Sequence, residues 1–125
     1  MNIGFDLDGT LDHPELVRLC NLLYDAGAII HIITVAGLGV ADYMSNEAKK
    51  RDKLYRLGVK YHHLHLVTGE TFEEAGDEKA AKCEYYGIEV MIDDSSTFVK
   101  QMLHGTTAVV LHVRVAGEPG DTPAR

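Results

Sequence analysis

Residues 3–10 read IGFDLDGT, a short apolar run that leads into an abrupt polar turn. The apolar half predicts a buried β-strand, and the polar half predicts the loop that ends it. Pro14 then suits the first turn of a helix, and Gly27 suits the position just beyond its end. The next run, 28–34, is rich in β-branched residues and predicts a second strand that is covered on both faces. The chain therefore begins as strand, helix, strand.

The same alternation continues to residue 113. Three further helices are predicted from their caps and terminal glycines: one from about residue 40 to Gly58, one from an N-cap at Asp77 to Gly87, and one from Ser95 or Ser96 to Gly105. The strands between and after them are predicted over 63–67, 88–92 and 108–113. Strict alternation favours right-handed crossovers between parallel strands. We therefore expect an α/β fold: a doubly wound, Rossmann-like, mainly parallel five-stranded sheet with helices on both faces.

Length, composition and charge limit the class of protein. The 125 residues, with 46% hydrophobic and 25% charged side chains, are typical of one globular domain. We expect a core over 1–116 and a loose tail over 117–125. The net charge of −7 argues against general nucleic-acid binding. With no secretory signal and no apolar run of roughly 20 residues, a cytoplasmic protein that does not contact membranes is expected.

Polar residues stand where the predicted strands end. Asp6 and Asp8 follow the first strand, Thr34 ends the second, and Asp93 and Asp94 end the fourth. Since the carboxyl ends of parallel strands share one edge of the sheet, the four carboxylates are expected to converge there. Unpaired acids repel one another and are costly to desolvate, so we expect a cation among them. Oxygen ligands with open positions favour Mg²⁺. The alternative is that these residues only cap turns and helices.

The same residues carry a family resemblance. Four stretches, in order, resemble the motifs of the haloacid dehalogenase superfamily of phosphotransferases: Phe5-Asp6-Leu7-Asp8-Gly9-Thr10-Leu11, then Thr34, a downstream lysine, and Met91-Ile92-Asp93-Asp94. The resemblance implies that Asp6 attacks phosphorus to form an aspartyl-phosphate and that Asp8 acts as general acid and base. It also implies that Mg²⁺ is held by the Asp6 carboxylate, by the backbone carbonyl of Asp8 and by the Asp94 carboxylate, with Asp93 in support.

The resemblance further implies a set of phosphate contacts. The turn at Gly9-Thr10 would offer backbone N–H groups, and Thr34 would offer a hydroxyl. A lysine would neutralise the nucleophile and the phosphoryl charge. Lys79 is favoured for this role because it stands early on the helix before the fourth strand, with Lys82 as the other candidate.

The function implied is a small, capless, Mg²⁺-dependent phosphomonoester hydrolase. Neither interval where the family inserts a cap domain has room for one, so the site would be open to a phosphorylated small molecule or to an exposed phosphate on a macromolecule. One alternative is a non-catalytic module of the same fold that binds Mg²⁺ or a phosphorylated partner. Another is a receiver domain, which is disfavoured because no acid ends the third predicted strand. Assembly into a homo-oligomer is left open.

Three weaker signals have ordinary structural interpretations. The histidines at 62, 63 and 65 are interpreted as surface or edge-strand residues rather than a metal site. The basic stretch around Lys49-Lys50-Arg51 could attract an anionic substrate, but a solvated helix face is favoured. Cys20 and Cys83 are predicted to be buried free thiols.

Overall fold

The chain folds as strands and helices in strict alternation, which confirms the predicted α/β fold. The computed structural model describes residues 1–38 and 43–114, so the tail predicted over 117–125 lies outside the described residues. The elements are β1 (Asn2–Phe5), α1 (Pro14–Asp25), β2 (Ile29–Leu38), α2 (Tyr43–Leu57), β3 (His63–Gly69), α3 (Phe72–Tyr85), β4 (Val90–Asp93), α4 (Ser96–Gly105) and β5 (Val109–His112). Within these ranges, no helix has the length and apolar character needed to cross a membrane.

The five strands form one parallel sheet in the order β3-β2-β1-β4-β5. The strand order reverses at the boundary between β1 and β4, which is where such sheets open a crevice for ligands. Phe5 is in register with Ile32 of β2 and with Ile92 of β4. The backbone N–H of Asp6 donates to the carbonyl oxygen of Ile92 at 2.9 Å. The residues that follow β1 and β4 are therefore held side by side at this crevice.

Two apolar layers, one on each face of the sheet, fix its carboxyl edge. Phe5, Ile32 and Leu54 belong to the layer under α1 and α2. Met91 and Met102 belong to the layer under α3 and α4. Burying each such side chain contributes roughly 1.5–3 kcal/mol. Because both faces of the sheet are covered, the strands are rigid and hold the polar residues at their ends in fixed positions.

Helix α3 begins six residues earlier than the sequence predicted. Its N-cap is Thr71, whose side-chain oxygen accepts a hydrogen bond from the backbone N–H of Glu74 at 3.1 Å. The Glu74 carboxylate in turn accepts from the backbone N–H of Glu70 at 2.8 Å. This reciprocal pair is a variant of the capping box, and it favours the earlier start. Asp77, the predicted cap, lies inside the helix and accepts from the Gln101 amide at 3.0 Å.

Strand β2 also runs further than predicted. The sequence places its end at Thr34, but the ladder with β3 continues to Leu38. The register shifts between Val35 and Gly37, and Gly37 has φ +141°. A glycine accommodates such a bulge, so the strand continues past its predicted end. Thr34 therefore lies within β2 rather than at its end.

Candidate functional site

Three aspartates meet at the carboxyl ends of β1 and β4. Asp6, Asp93 and Asp94 each place a carboxylate oxygen within 4.8 Å of the others. Asp6 and Asp93 are buried, and Asp94 is half-buried. We call these three residues the acidic cluster. The sequence predicted that these side chains would converge, and the structure brings them together.

Lys79 of α3 lies between two members of the acidic cluster. Its Nζ is 2.7 Å from Asp6 Oδ1 and 2.8 Å from Asp93 Oδ2, and the residue is 0% exposed. Burial alone would lower the pKa of Lys79, but the two carboxylates raise it above its ordinary value, so the side chain is an ammonium. The other candidate, Lys82, faces outward with its Nζ 3.9 Å from a carboxylate oxygen of Glu78.

The acidic cluster holds more negative charge than Lys79 offsets. When all three carboxylates are ionised, they face one ammonium, which leaves two negative charges without a positive partner inside the cluster. Burial raises the pKa of Asp6 to about 7, against the opposing effect of Lys79, and repulsion from Asp93 and Asp94 adds to the rise. A divalent cation bound here would supply the missing positive charge.

The carboxylate oxygens differ in how fully they are bonded. Asp93 uses both, since Oδ2 accepts from Lys79 and Oδ1 accepts from the backbone N–H of Ser95 at 3.0 Å. Asp6 Oδ2 and Asp94 Oδ1 share the hydroxyl of Thr10, at 3.3 and 3.1 Å. A hydroxyl has one proton and can donate to only one of them at a time. Asp6 and Asp94 therefore retain lone pairs for a further ligand, whereas Asp93 positions Lys79 and the chain at Ser95.

A cavity of about 280 Å³ opens beside these lone pairs. The residues that line it are Asp6, Asp8, Thr34, Val35, Phe72, Asp94, Ser95 and Phe98. Thr34 is 1% exposed, and its hydroxyl has no hydrogen-bond partner, alone among the buried side-chain polar atoms of the described residues. Buried polar groups are nearly always paired, so this orphan calls for an explanation. A ligand oxygen in the cavity would supply the partner.

The turn after β1 packs tightly on Asp94. Gly9 has φ +84°, and a Cβ built on it would lie 2.5 Å from Asp94 Oδ2, so only glycine fits. The Gly9 N–H donates to Asp12 Oδ2 at 2.7 Å, and the Thr10 N–H donates to the carbonyl of Leu7 at 3.2 Å. These two amides, which we expected to hold a phosphate, are thus bonded within the turn, because the Asp12 carboxylate closes it.

Asp8 lines the cavity, but its carboxylate is engaged by α2. It forms ion pairs with Lys50 and with Lys53, the latter at 2.8 Å, and Lys53 also pairs with Asp12 at 2.8 Å. Burial alone would raise the pKa of Asp8, but the hydrogen bonds from the two lysines hold it below its ordinary value. The basic stretch of α2 therefore contacts the turn instead of facing only solvent. Lys50 and Lys53 are three residues apart and so lie on one helix face, which could have suggested this contact from the sequence.

A second polar cluster lies on β2 and β3, and sequence reasoning missed its central residue. His31 Nδ1 is 2.9 Å from His65 Nε2, and His31 Nε2 is 3.0 Å from Asn2 Oδ1. Tyr86 stacks on His65 with ring centroids 4.0 Å apart, and His63 is exposed on the same edge strand. Burial lowers the pKa of His31 and of His65 to about 4. We call His31 and His65 the histidine pair.

Comparison with solved structures shows the fold. The chain matches one from the Pnkp1/Rnl/Hen1 RNA repair complex at TM-score 0.66 and 12% identity, over 90% of this chain and 42% of that one. It matches a universal stress protein in complex with cAMP at TM-score 0.58 and 14% identity, over 90% and 95% of the two chains. It matches a universal stress protein from Archaeoglobus fulgidus at TM-score 0.56 and 10% identity, over 91% and 98%. No protein-family model matches the sequence, and no curated protein matches it.

These matches correct the family assignment. The identification with the haloacid dehalogenase superfamily is wrong, because the solved structures that share the fold are universal stress proteins and a chain of an RNA repair complex. The function it implied, a Mg²⁺-dependent phosphomonoester hydrolase with an aspartyl-phosphate on Asp6, is wrong with it, as is the alternative of a binding module of that family.

The physical reason for the error lies in how little of the chain carries the resemblance. The point where a parallel sheet reverses its strand order is a general position for ligand sites, so a short motif there describes local chemistry and not ancestry. The implied acid, Asp8, is also held in its ionised form by Lys50 and Lys53. What the comparisons show is the fold: a Rossmann-like, all-parallel α/β sheet of the kind that universal stress proteins have.

Proposed function

We propose that the chain binds a divalent cation together with a phosphate-bearing ligand at the carboxyl edge of its sheet. The observation that carries the proposal is the Thr34 hydroxyl, buried and without a partner, in a cavity that Asp6 and Asp94 also line. An unpaired donor beside carboxylates that retain free lone pairs fits a ligand that carries oxygen atoms and arrives with a cation.

The donor set suits Mg²⁺. The acidic cluster offers only carboxylate oxygens, which are the hard ligands this ion prefers. Mg²⁺ is usually bound through one or two carboxylates plus waters and substrate phosphates, and Asp6 and Asp94 are the two with free lone pairs. Lys79 and Asp93 would hold the Asp6 carboxylate in place without being ligands themselves.

A phosphate oxygen suits the remaining partner. It would accept the Thr34 hydroxyl proton and would be drawn to the acidic edge by the bound cation, since without a cation the cluster repels an anion. The universal stress protein solved with cAMP supports a phosphate ester, because that protein holds one on the same fold. Enzymatic turnover of the ligand and a cytoplasmic location stay predictions, and assembly into a homo-oligomer stays open.

The test is calorimetric titration of Mg²⁺ into wild type and two variants at neutral pH. Asp94→Asn removes the charge of one proposed ligand, and we expect Mg²⁺ affinity to fall on the order of tenfold or more. Asp25→Asn is the matched control, because Asp25 pairs with Lys60 on the exposed surface of α1 at 2.9 Å. Wild-type Mg²⁺ affinity in Asp94→Asn, or an equal loss in both variants, would contradict the proposal.

A further inference from the structure

A large apolar ring stands in solvent at the rim of the proposed site. Phe72 is 57% exposed, yet it lines the same cavity as Asp6 and Asp94. The other aromatic ring at the cavity, Phe98, is buried and has Lys79 Nζ 4.3 Å from its centroid. Phe98 is therefore part of the packing around the charges, whereas Phe72 offers its ring to whatever enters the cavity.

The position of Phe72 is fixed by the start of α3. Thr71 caps the helix immediately before it, with the hydrogen bond to Glu74 described above. The connection from β3 is tight, since a Cβ on Gly69 would lie 2.7 Å from the backbone nitrogen of Ala75. The Phe72 and Phe98 ring centroids are 6.0 Å apart at an interplanar angle of 51°. The ring is thus presented on a rigid element, which lowers the entropy lost when a ligand packs on it.

We propose that the ligand of this site is a mononucleotide, with its phosphate on the cation and Thr34 and its base stacked on Phe72. The inference rests on the proposed function and names the ligand class for that same site. Bases stack on aromatic rings whatever their identity, because every base has a π-face.

Size and charge agree with a small nucleotide. At about 280 Å³, the cavity is slightly smaller than typical small-molecule sites, so it takes the phosphate and sugar while the base lies at the open rim where Phe72 is. A net charge of −7 disfavours a polyanion such as a nucleic-acid strand.

The experiment titrates the full chain, in excess MgCl₂, with three probes: AMP, ribose 5-phosphate and inorganic phosphate. In wild type we expect AMP to bind about 5- to 150-fold more tightly than ribose 5-phosphate, the range that base–aromatic stacking gives. Phe72→Ala should bring AMP affinity down to that of ribose 5-phosphate, and Phe72→Tyr should restore the preference. Tyr85→Ala is the matched control, because Tyr85 is 82% exposed elsewhere on α3 and should retain the wild-type preference.

The outcomes separate the two proposals. If ribose 5-phosphate binds with Mg²⁺ but AMP binds no more tightly, or if Phe72→Ala keeps the AMP preference, the nucleotide inference is overturned and the phosphate site stands. If none of the three probes binds in MgCl₂ beyond what it does in EDTA, the proposed function is overturned and the inference with it. A melting temperature equal to wild type verifies that Phe72→Ala is folded.

Discussion

The acidic cluster and the histidine pair are both buried groups of polar side chains, but their hydrogen bonding differs. His31 has both ring nitrogens bonded, one to His65 and one to Asn2, and burial keeps both histidines neutral. The acidic cluster, when its three carboxylates are ionised, has two negative charges more than Lys79 offsets, and the cavity beside it holds an unpartnered hydroxyl on Thr34.

The difference indicates that the histidine pair stabilises the fold, whereas the acidic cluster is suited to bind a ligand. Polar groups that satisfy one another add to the stability and uniqueness of the fold, as the histidine pair does. Polar groups left without partners destabilise the fold and persist where a ligand completes them, as we propose for the acidic cluster. Each of the following changes alters one side of this comparison.

The largest expected effect comes from Lys79→Met. It leaves Asp6 and Asp93 buried without their ammonium partner, and breaking a buried pair costs about 3–5 kcal/mol. Urea denaturation at pH 7 measures the loss. The control is Lys82→Met on the same helix, whose half-exposed pair with Glu78 contributes at most about 1 kcal/mol. Equal stability of the two variants would show that Lys79 does not hold the acidic cluster together.

Gly9→Ala should destabilise the fold and impair the cation site together. Placing alanine at φ +84° costs about 1–2 kcal/mol, and its Cβ would push on Asp94 Oδ2. The control is Gly58→Ala, at φ +73° with nothing within 4 Å of the added Cβ, which carries the backbone cost alone. Denaturation should show a loss in both variants, but Mg²⁺ titration should show weaker binding only in Gly9→Ala. Unchanged Mg²⁺ binding in Gly9→Ala would argue against Asp94 as a ligand.

The histidine pair predicts a loss of stability in mild acid. Both groups have a folded pKa of about 4 against 6.5 when unfolded, so the unfolded chain binds more protons between these values. Their stabilisation is complete above pH 6.5 and declines as the pH falls toward 4, by on the order of 1 kcal/mol once solvent screening is allowed for. In urea denaturation at a series of pH values from 7 to 5, the free energy of unfolding should decline less steeply in His65→Gln than in wild type. His104→Gln, exposed on α4, should keep the wild-type decline; equal slopes in all three proteins would disprove the prediction.

The smallest effect on stability is expected for Thr34→Val. The hydroxyl has no partner to lose, so replacing it with a methyl group of similar shape should change the free energy of unfolding by less than about 0.5 kcal/mol. Binding of inorganic phosphate in MgCl₂ should nevertheless weaken, by about tenfold, because a hydrogen bond to a charged oxygen is lost. A clear loss of stability would mean that the hydroxyl is already satisfied within the fold.

Much of the fold could be predicted from the order of apolar runs and terminal glycines. The alternation of elements requires a parallel sheet, and a parallel sheet requires that Asp6 and Asp93 share an edge. Lys79 was favoured over Lys82 from its place early on the helix, and the structure puts it among the carboxylates. Whether these residues act as catalytic or metal-binding groups stays a prediction.

Other features depended on contacts between distant parts of the chain. The sequence predicts the start of α3 at Asp77, so it misses Thr71 as the cap, and Phe72 with it. His31 was hidden inside an apolar run, and its bond to His65 needs the register of β2 with β3. The family was misjudged because the resemblance rests on a few site residues at the strand ends, and such sites recur on unrelated proteins.

The most direct test of the account is a crystal of the full chain soaked in MnCl₂, with the anomalous signal of manganese recorded. Mn²⁺ takes the same oxygen ligands as Mg²⁺. If Asp6 and Asp94 are the cation ligands, one anomalous peak lies in the cavity, about 2.0–2.2 Å from oxygens of Asp6 and Asp94, with Lys79 still bonded to Asp93. A peak only elsewhere on the protein, or no peak at the acidic cluster at millimolar Mn²⁺, would contradict it.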